Sequence, residues 1–271
     1  MSENKSHKIL LVFFFLNLIY FIIGFVYQHD FSNGGKIDFE HIYGNFLLFK
    51  NSSLFELDWA KYESTSLPLH YLITKFLIPE NNIFVFKLYT FILSLLCVPL
   101  FYITLKIKLN IKKIDFSILL ISSIILLSSP FRTDGYFGLE ENIGFFILFI
   151  CLIFYFLHLK TKEKKYIIPT IFFSCLVFYT RQTYAFVSII TFFYFLDKNN
   201  LISFKNFKIS FIYFIFLVPS LYFFFSWGSV LPVDASFRLV GFQFYSIPYS
   251  FGMFIIFTLP FYLYNFTYYL K

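Results

Sequence analysis

Charge is scarce in this 271-residue chain: Asp, Glu, Lys and Arg make up 14% of it, where a soluble domain carries about a quarter. That excludes an enzyme with an ordinary solvated surface. The glycine-patterned loops of common nucleotide and ester chemistry are missing too. There is no P-loop, no Rossmann glycine pattern and no Gly-x-Ser-x-Gly, so each of those chemistries lacks its phosphate cradle or its nucleophile elbow. The three cysteines, Cys97, Cys151 and Cys175, lie inside apolar runs and have neither metal-ligand spacing nor a disulfide framework. His7, His29, His41, His70 and His158 are scattered and make no metal signature. Neither a metal nor a cofactor is expected. No small-x-small cleavage site follows the first apolar run, so that run reads as a retained anchor, not a removed signal peptide. No internal repeat of the kind common in transporters is visible.

What the chain has is apolar length. It is 59% hydrophobic, with 46 Phe and 21 Tyr. A membrane helix needs roughly 20 apolar residues. Runs of about that size occur at 9–27, 83–105, 116–130, 143–159, 166–180, 183–197, 209–227 and 249–265, the third, fifth and sixth being the shortest. The fold expected is an all-α polytopic membrane bundle of about eight spans, a single integral membrane domain over 1–271. Short Lys-rich loops orient such a bundle, because cytoplasmic loops collect Lys and Arg. With the N-terminus in the cytoplasm, the inside segments hold Lys5, Lys8, Lys106, Lys108, Lys112, Lys113, Lys160, Lys162, Lys164, Lys165, Lys198, Lys205, Lys208 and Lys271, which is 14 of the 22 basic residues. The carboxylates divide the other way, 4 inside and 11 outside. Reading 166–197 as one span would put Lys198, Lys205 and Lys208 outside, so two spans are expected there. The net charge of +7 is therefore an orientation signal, and no nucleic-acid partner is expected.

The outside face then carries most of the chemistry-bearing residues. "GGKIDFEHIYGNF" follows the anchor and presents Asp38, Glu40 and His41. Phe39, Ile42, Tyr43, Phe46 and Phe49 recur at helical spacing, which predicts a surface helix over 37–50. Acids also favour a helix N-terminus on electrostatic grounds, so solvated acids and a proton-accepting pair both fit. "ELDWAKYESTSLPLHYLITKF" leads through Pro68 into a second short helix over 66–78, since Pro suits a first turn. "RTDGYFGLEEN" crowds ionisable groups into a short loop at 131–142. Its neighbouring Glu140 and Glu141 repel near a low-dielectric boundary, and Arg132 is the cation expected to offset them. "YTRQTYAF" sets Arg181 and Gln182 in the turn of an apolar hairpin. A charge there needs a partner or an aqueous cavity, and Arg is suited to phosphate. Snorkelling to lipid headgroups fits it as well.

The order of these pieces resembles the GT-C superfamily of membrane glycosyltransferases, and within it the dolichyl-phosphate-glucose-dependent α-1,2-glucosyltransferases of N-glycan precursor assembly. "IDFEHIYGNFLLFK" is similar to that family's Ile-Asp-Glu-x-Phe-His segment, one residue shorter. "DWAKYESTSLPLHYL" is similar to its Trp-Asp-Pro-Lys-Ile-Thr-Thr-Pro-Pro-Gly stretch, with Leu67-Pro68-Leu69 in place of Pro-Pro-Gly. "FYTRQTYAF" matches its Phe-Arg-Gln-Thr-Asn pattern through Arg181, Gln182 and Thr183. "GLEENIGFF" falls where the family has Tyr-Thr-Asp, and "GSVLPVDASF" where it has a Gly-Asp loop. The likeness runs in order over about residues 10–265, in a chain shorter than family members.

The resemblance implies a glycosyltransferase that moves a hexose, glucose by the closest likeness, from a polyprenyl- or dolichyl-phosphate sugar to a glycan acceptor on the extracytoplasmic face, with inversion. It implies membrane lipid as a partner, and a bacterial inner membrane or the endoplasmic reticulum membrane as its place. Asp38, then Glu40, is the expected base. His41, Arg132, Glu140, Glu141, Arg181 and Gln182 are the expected substrate contacts. The rival class is a polytopic transporter or a non-catalytic membrane protein of cell-envelope glycan assembly. Transporters bind at the bilayer midplane, so the depth of the charged cluster separates the two.

Overall fold

The computed structural model describes residues 3–30, 35–64, 66–79, 81–197 and 202–229, with side chains from His7 onward. Contacts divide the chain into Met1–Ala235 and Ser236–Lys271, and every described residue belongs to the first unit. The expected span at 249–265 and most of the expected loop at 228–248 lie outside the described residues. No strand occurs among the described residues.

Ten α-helices follow one another among the described residues: α1 Glu3–Val26, α2 Gly35–Asn51, α3 Leu69–Leu77, α4 Ile83–Lys108, α5 Phe116–Ser123, α6 Ser129–Phe137, α7 Glu141–Thr161, α8 Ile167–Phe178, α9 Ala185–Phe195 and α10 Phe204–Trp227. Three of these helices start at a side-chain cap. Asn82 accepts from the Phe84 and Val85 amides, Asp115 from Ser117 and Ile118, and Ser203 from Asn206, each satisfying amides that have no partner within the helix.

Four described helices are long and apolar enough to cross a membrane: His7–Val26, α4, α7 and α10. The apolar faces they leave exposed, such as Val12, Phe13, Leu16 and Ile19 on α1, are compatible with an integral membrane protein. The run at 116–130 is not a straight span. It continues through a 3-10 turn at Ile124–Leu127, then bends by 68° into α6. Pro130 stands at the start of α6 and Gly138 ends it with φ +78°. The segment expected to be a loop at 131–142 is therefore mostly a buried helix.

The pair at 166–197 also departs from expectation. Its helices have 12 and 11 residues, about 18 and 16 Å at 1.5 Å per residue, against about 30 Å of hydrocarbon. The chain does turn between them, as expected. Arg181 in that turn pairs with Glu141 in the first turn of α7, while the Phe195 ring at the end of α9 meets His158 in the last turn of α7. The two legs thus run alongside most of α7.

The core is aromatic. Phe21, Phe91, Phe131 and Tyr136 knit α1, α4 and α6, while Phe46, Phe49, Tyr62, Tyr71, Phe86 and Trp227 join α2 and α3 to the ends of α4 and α10. Polar side chains are spent on joining helices: half-buried Asn17 donates to Ser123 Oγ (2.9 Å), and buried Asn142 to Ser94 Oγ and the Phe131 carbonyl (both 2.7 Å).

Candidate functional site

Four separate stretches of chain meet at one end of the bundle. The first is α2. The Asp30 carboxylate accepts from the Gly35 and Lys36 amides (3.2 and 3.1 Å), which fixes where the helix begins. Gly35 then lies against α6 so closely that an added Cβ would sit 2.5 Å from Thr133 Cγ2 and 2.8 Å from the Phe137 ring. This contact delivers Asp38, in the first turn of α2, to the neighbourhood of Asp134. Asp134 is buried, and its electrostatic neighbours are Glu141, Arg181, Asp38 and Glu140.

The second and third stretches are α6 and the start of α7. Gly138 packs onto the Phe86 ring, where a Cβ would come within 2.5 Å. The chain then reverses into Glu140 and Glu141. Glu140 is only 4% exposed. It accepts from the Tyr71 hydroxyl and from Ser64 Oγ (3.1 Å). Burial pushes the Glu140 carboxyl above its usual 4.5, the Ser66 and Tyr71 hydroxyls pull it down, and Glu141 and Arg181 act in opposite directions. Burial holds the Tyr71 hydroxyl well above its usual 10.0, with the Glu140 charge adding to it. Tyr71 therefore stays protonated and donates to Glu140. Its oxygen accepts from Asn45 Nδ2 (3.3 Å), while Asn45 also clamps the Glu63 backbone, accepting from its N–H (3.0 Å) and donating to its carbonyl (3.2 Å).

The fourth stretch is the hairpin turn, and a proline positions it. Pro219 inside α10 has no N–H and interrupts the ladder of backbone bonds. The Tyr179 hydroxyl fills the gap: it accepts from the Ser220 amide (2.9 Å) and donates to the Phe216 carbonyl (2.9 Å). With residue 179 pinned, Arg181 Nη1 reaches Glu141 Oε1 at 2.7 Å, the two side chains being 38% and 24% exposed. Gln182 beside it is half-buried, and its Nε2 has no hydrogen-bond partner.

Asp38, Glu140, Glu141 and Arg181 are thus neighbours of Asp134. Three other expected site residues lie differently. Arg132 does not supply the cation beside the glutamates; its guanidinium lies 5.0 Å from the Tyr20 ring centroid, because its position on α6 turns it toward α1. Arg181 takes that place. Glu40 is two residues from Asp38, a rotation of roughly 200°, and it faces a different groove, with Lys36, Tyr43 and Lys87. His41 pairs with Glu63 at 2.5 Å on the exposed side of α2.

Sequence reasoning missed Asp134, Tyr71, Ser64 and Glu63 as site residues. Pro130 and Gly138 were the signal for α6, since Pro opens and Gly closes a helix, and that helix carries Asp134 inward. Nothing in the local pattern links His41 to Glu63, 22 residues away. Among the described residues no group of three or more His, Cys, Asp or Glu is arranged to hold a metal ion. No family model, curated protein or solved structure matches the chain. The likeness to the GT-C transferases accordingly rests on the residues themselves.

Chemically, the cluster offers one exposed carboxylate, two buried ones, one carboxylate held by an arginine, and an unpaired amide donor. An arginine with one edge on Glu141 keeps further N–H groups for an anion.

Proposed function

We propose that the chain is a membrane glycosyltransferase that moves a hexose, glucose by the resemblance, from a polyprenyl- or dolichyl-phosphate sugar to a hydroxyl of a glycan acceptor. The observation that carries the reading is the convergence of Asp38, Asp134, Glu140, Glu141 and Arg181, from four stretches of chain, at the ends of helices. Transfer needs a base for the acceptor hydroxyl and a cation for the departing phosphate. Asp38 is exposed and is the base of this reading. The acceptor oxygen bonds to the anomeric carbon as the carbon–oxygen bond to the lipid phosphate breaks. The hydroxyl proton passes to Asp38, and the phosphate leaves as an anion stabilised by Arg181. Attack from the side opposite the phosphate inverts the anomeric centre.

The same reading takes the hairpin at 167–195 as two crossings, since its legs run alongside most of α7. It gives about eight spans in all, with the N-terminus in the cytoplasm of a bacterial inner membrane or on the cytoplasmic side of the endoplasmic reticulum. In this reading the cluster lies at the membrane face, with Asp38 in the first turn of α2 and Glu141 in the first turn of α7, whereas a transporter would hold its site at mid-depth.

The test is direct. Membranes containing the protein are incubated with radiolabelled polyprenyl-phosphate hexose and a glycan acceptor. Label should move into the acceptor, and Asp38→Asn should slow it by roughly 2 to 4 orders of magnitude, the usual worth of a general base. Absence of transfer across the available hexose donors would refute the reading.

A further inference from the structure

On another face of α2 lies a groove of about 740 Å³ lined by Gln28, Lys36, Phe39, Glu40, Tyr43, Gly44, Leu47, Ile83, Lys87 and Phe137. Lys36, Glu40, Tyr43 and Leu47 follow at intervals of four, three and four residues, which puts them on one helix face. Two cations point into this space. Lys36 stands in the first turn of α2, and Lys87 is the fifth residue of α4. Both are near helix N-termini, where the macrodipole disfavours a positive charge and favours an anion. Neither makes an ion pair among the described residues. The Lys87 ammonium is held in place: it donates to Gln28 Oε1 at 2.6 Å and lies 4.3 Å from the Phe39 ring centroid and 4.9 Å from that of Phe137. Of its three N–H groups, Gln28 takes one.

Orientation of the bundle does not account for these lysines. The Lys-rich stretches at 106–113 and 160–165 follow the C-terminal ends of α4 and α7, whereas Lys87 is at the opposite end of α4. Lys36, Lys87 and Glu40 leave the groove with one net positive charge. Its remaining wall is apolar, and Ile83 and Phe84, which are exposed, continue that wall at the start of a helix long enough to cross a membrane.

We propose that this groove binds the headgroup of an anionic bilayer phospholipid. The single phosphodiester charge sits between Lys36 and Lys87, a headgroup hydroxyl donates to Glu40, and the first acyl carbons lie along Leu47 and Ile83. Occupancy does not depend on the transferase reading, because no residue of the carboxylate cluster lines the groove.

The test uses the full chain purified in detergent, with native mass spectrometry counting retained lipid after exposure to equal phosphatidylglycerol and phosphatidylcholine. Wild type should keep phosphatidylglycerol at least tenfold over phosphatidylcholine. Lys36→Gln and Lys87→Gln should each weaken that retention about fivefold, the usual worth of one lysine near an anionic lipid surface. Lys113→Gln should leave it unchanged. Lys36 is exposed, so its variant reports even if Lys87→Gln does not fold. Equal retention of the two lipids by wild type overturns the proposal, as does an equal loss with Lys113→Gln. Retention of polyprenyl monophosphate in place of phosphatidylglycerol also overturns it, since the groove would then belong to the carrier.

Discussion

Tyr71→Phe isolates the buried carboxylate of the cluster. The substitution keeps the ring, which stacks on Phe49 with centroids 5.5 Å apart and meets Tyr62 edge-on, so packing is little changed. It removes one hydroxyl, and with it the donor to Glu140 and the acceptor for Asn45 Nδ2. Asn45 keeps the Glu63 carbonyl, and Glu140 keeps Ser64. A hydrogen bond to a charged group contributes about 1.5–3 kcal/mol, and one between neutral groups about 1 kcal/mol. The loss should therefore be about 2 kcal/mol where Glu140 is ionised and about 1 kcal/mol where it is protonated. The pH dependence has a definite sign. Glu140 titrates above its usual 4.5 in the folded chain, so the stability it contributes is fully present below 4.5 and is lost as pH rises through its folded value. Tyr71 lowers that value, so Tyr71→Phe should move the loss to higher pH. Denaturant unfolding in mixed micelles, followed by tryptophan fluorescence from pH 4 to 8, reads both effects. The wild-type dependence should flatten in Glu140→Gln, and Tyr71→Phe made in that background should cost only about 1 kcal/mol. Equal costs of Tyr71→Phe with and without Glu140 would refute the coupling.

Other substitutions test how the site is built. Gly138→Ala should cost about 1–3 kcal/mol, because the left-handed φ of +78° and the Phe86 ring at 2.5 Å both oppose a methyl group; unfolding measured as above checks it. Arg181→Lys keeps the charge but loses the planar fork, so transfer should fall about tenfold or more, read from initial rates across donor concentrations. His70 is fully buried, and burial depresses its pKa to about 3, the Gly138 backbone opposing without making a hydrogen bond of ordinary geometry. Its contribution to stability is present above 6.5 and lost as pH falls toward 3, so His70→Leu should reduce the acid sensitivity of unfolding over that range.

The parts of the fold that were legible in the sequence are those written in local pattern. The long runs at 9–27, 83–105, 143–159 and 209–227 each contain enough apolar residues to appear as a single helix. The two surface helices followed from Phe39, Ile42, Tyr43, Phe46 and Phe49 in one case and from Pro68 in the other. Arg181 was legible because a charge inside an apolar hairpin demands a partner. What stayed hidden depends on contacts between distant segments. The 68° bend before α6 carries Asp134 into the interior, and composition alone made that stretch look like a polar loop. Arg132 and Arg181 are equivalent by type. Only the helical phase of α6, which turns Arg132 onto Tyr20, and the Tyr179 hydroxyl lodged beside Pro219 decide which of them faces Glu141.

The charges of the cluster bear on which acid is the base. Asp134, Glu140 and Glu141 share one guanidinium as a neighbour, with Asp38 near Asp134, and neighbouring carboxylates raise one another's proton affinity. Burial selects where the proton goes: it pushes both enclosed acids toward their neutral form, Asp134 most of all and Glu140, bonded to Tyr71, as well. Glu141 is held by Arg181 at 2.7 Å. A base for an acceptor hydroxyl must be within reach of an incoming sugar, and Asp38 is the exposed acid of the four. This ranks the variants under the proposed reaction. Asp38→Asn should abolish most transfer. Glu140→Gln, which replaces an enclosed acid with a neutral amide of similar shape, should leave the rate within about tenfold of wild type, and Glu40→Gln, on another face of α2, should be milder still. Initial rates of label transfer for the three variants decide the order. Full activity in Asp38→Asn together with a loss of 2 or more orders of magnitude in Glu140→Gln would make the buried glutamate the base and reverse the assignment.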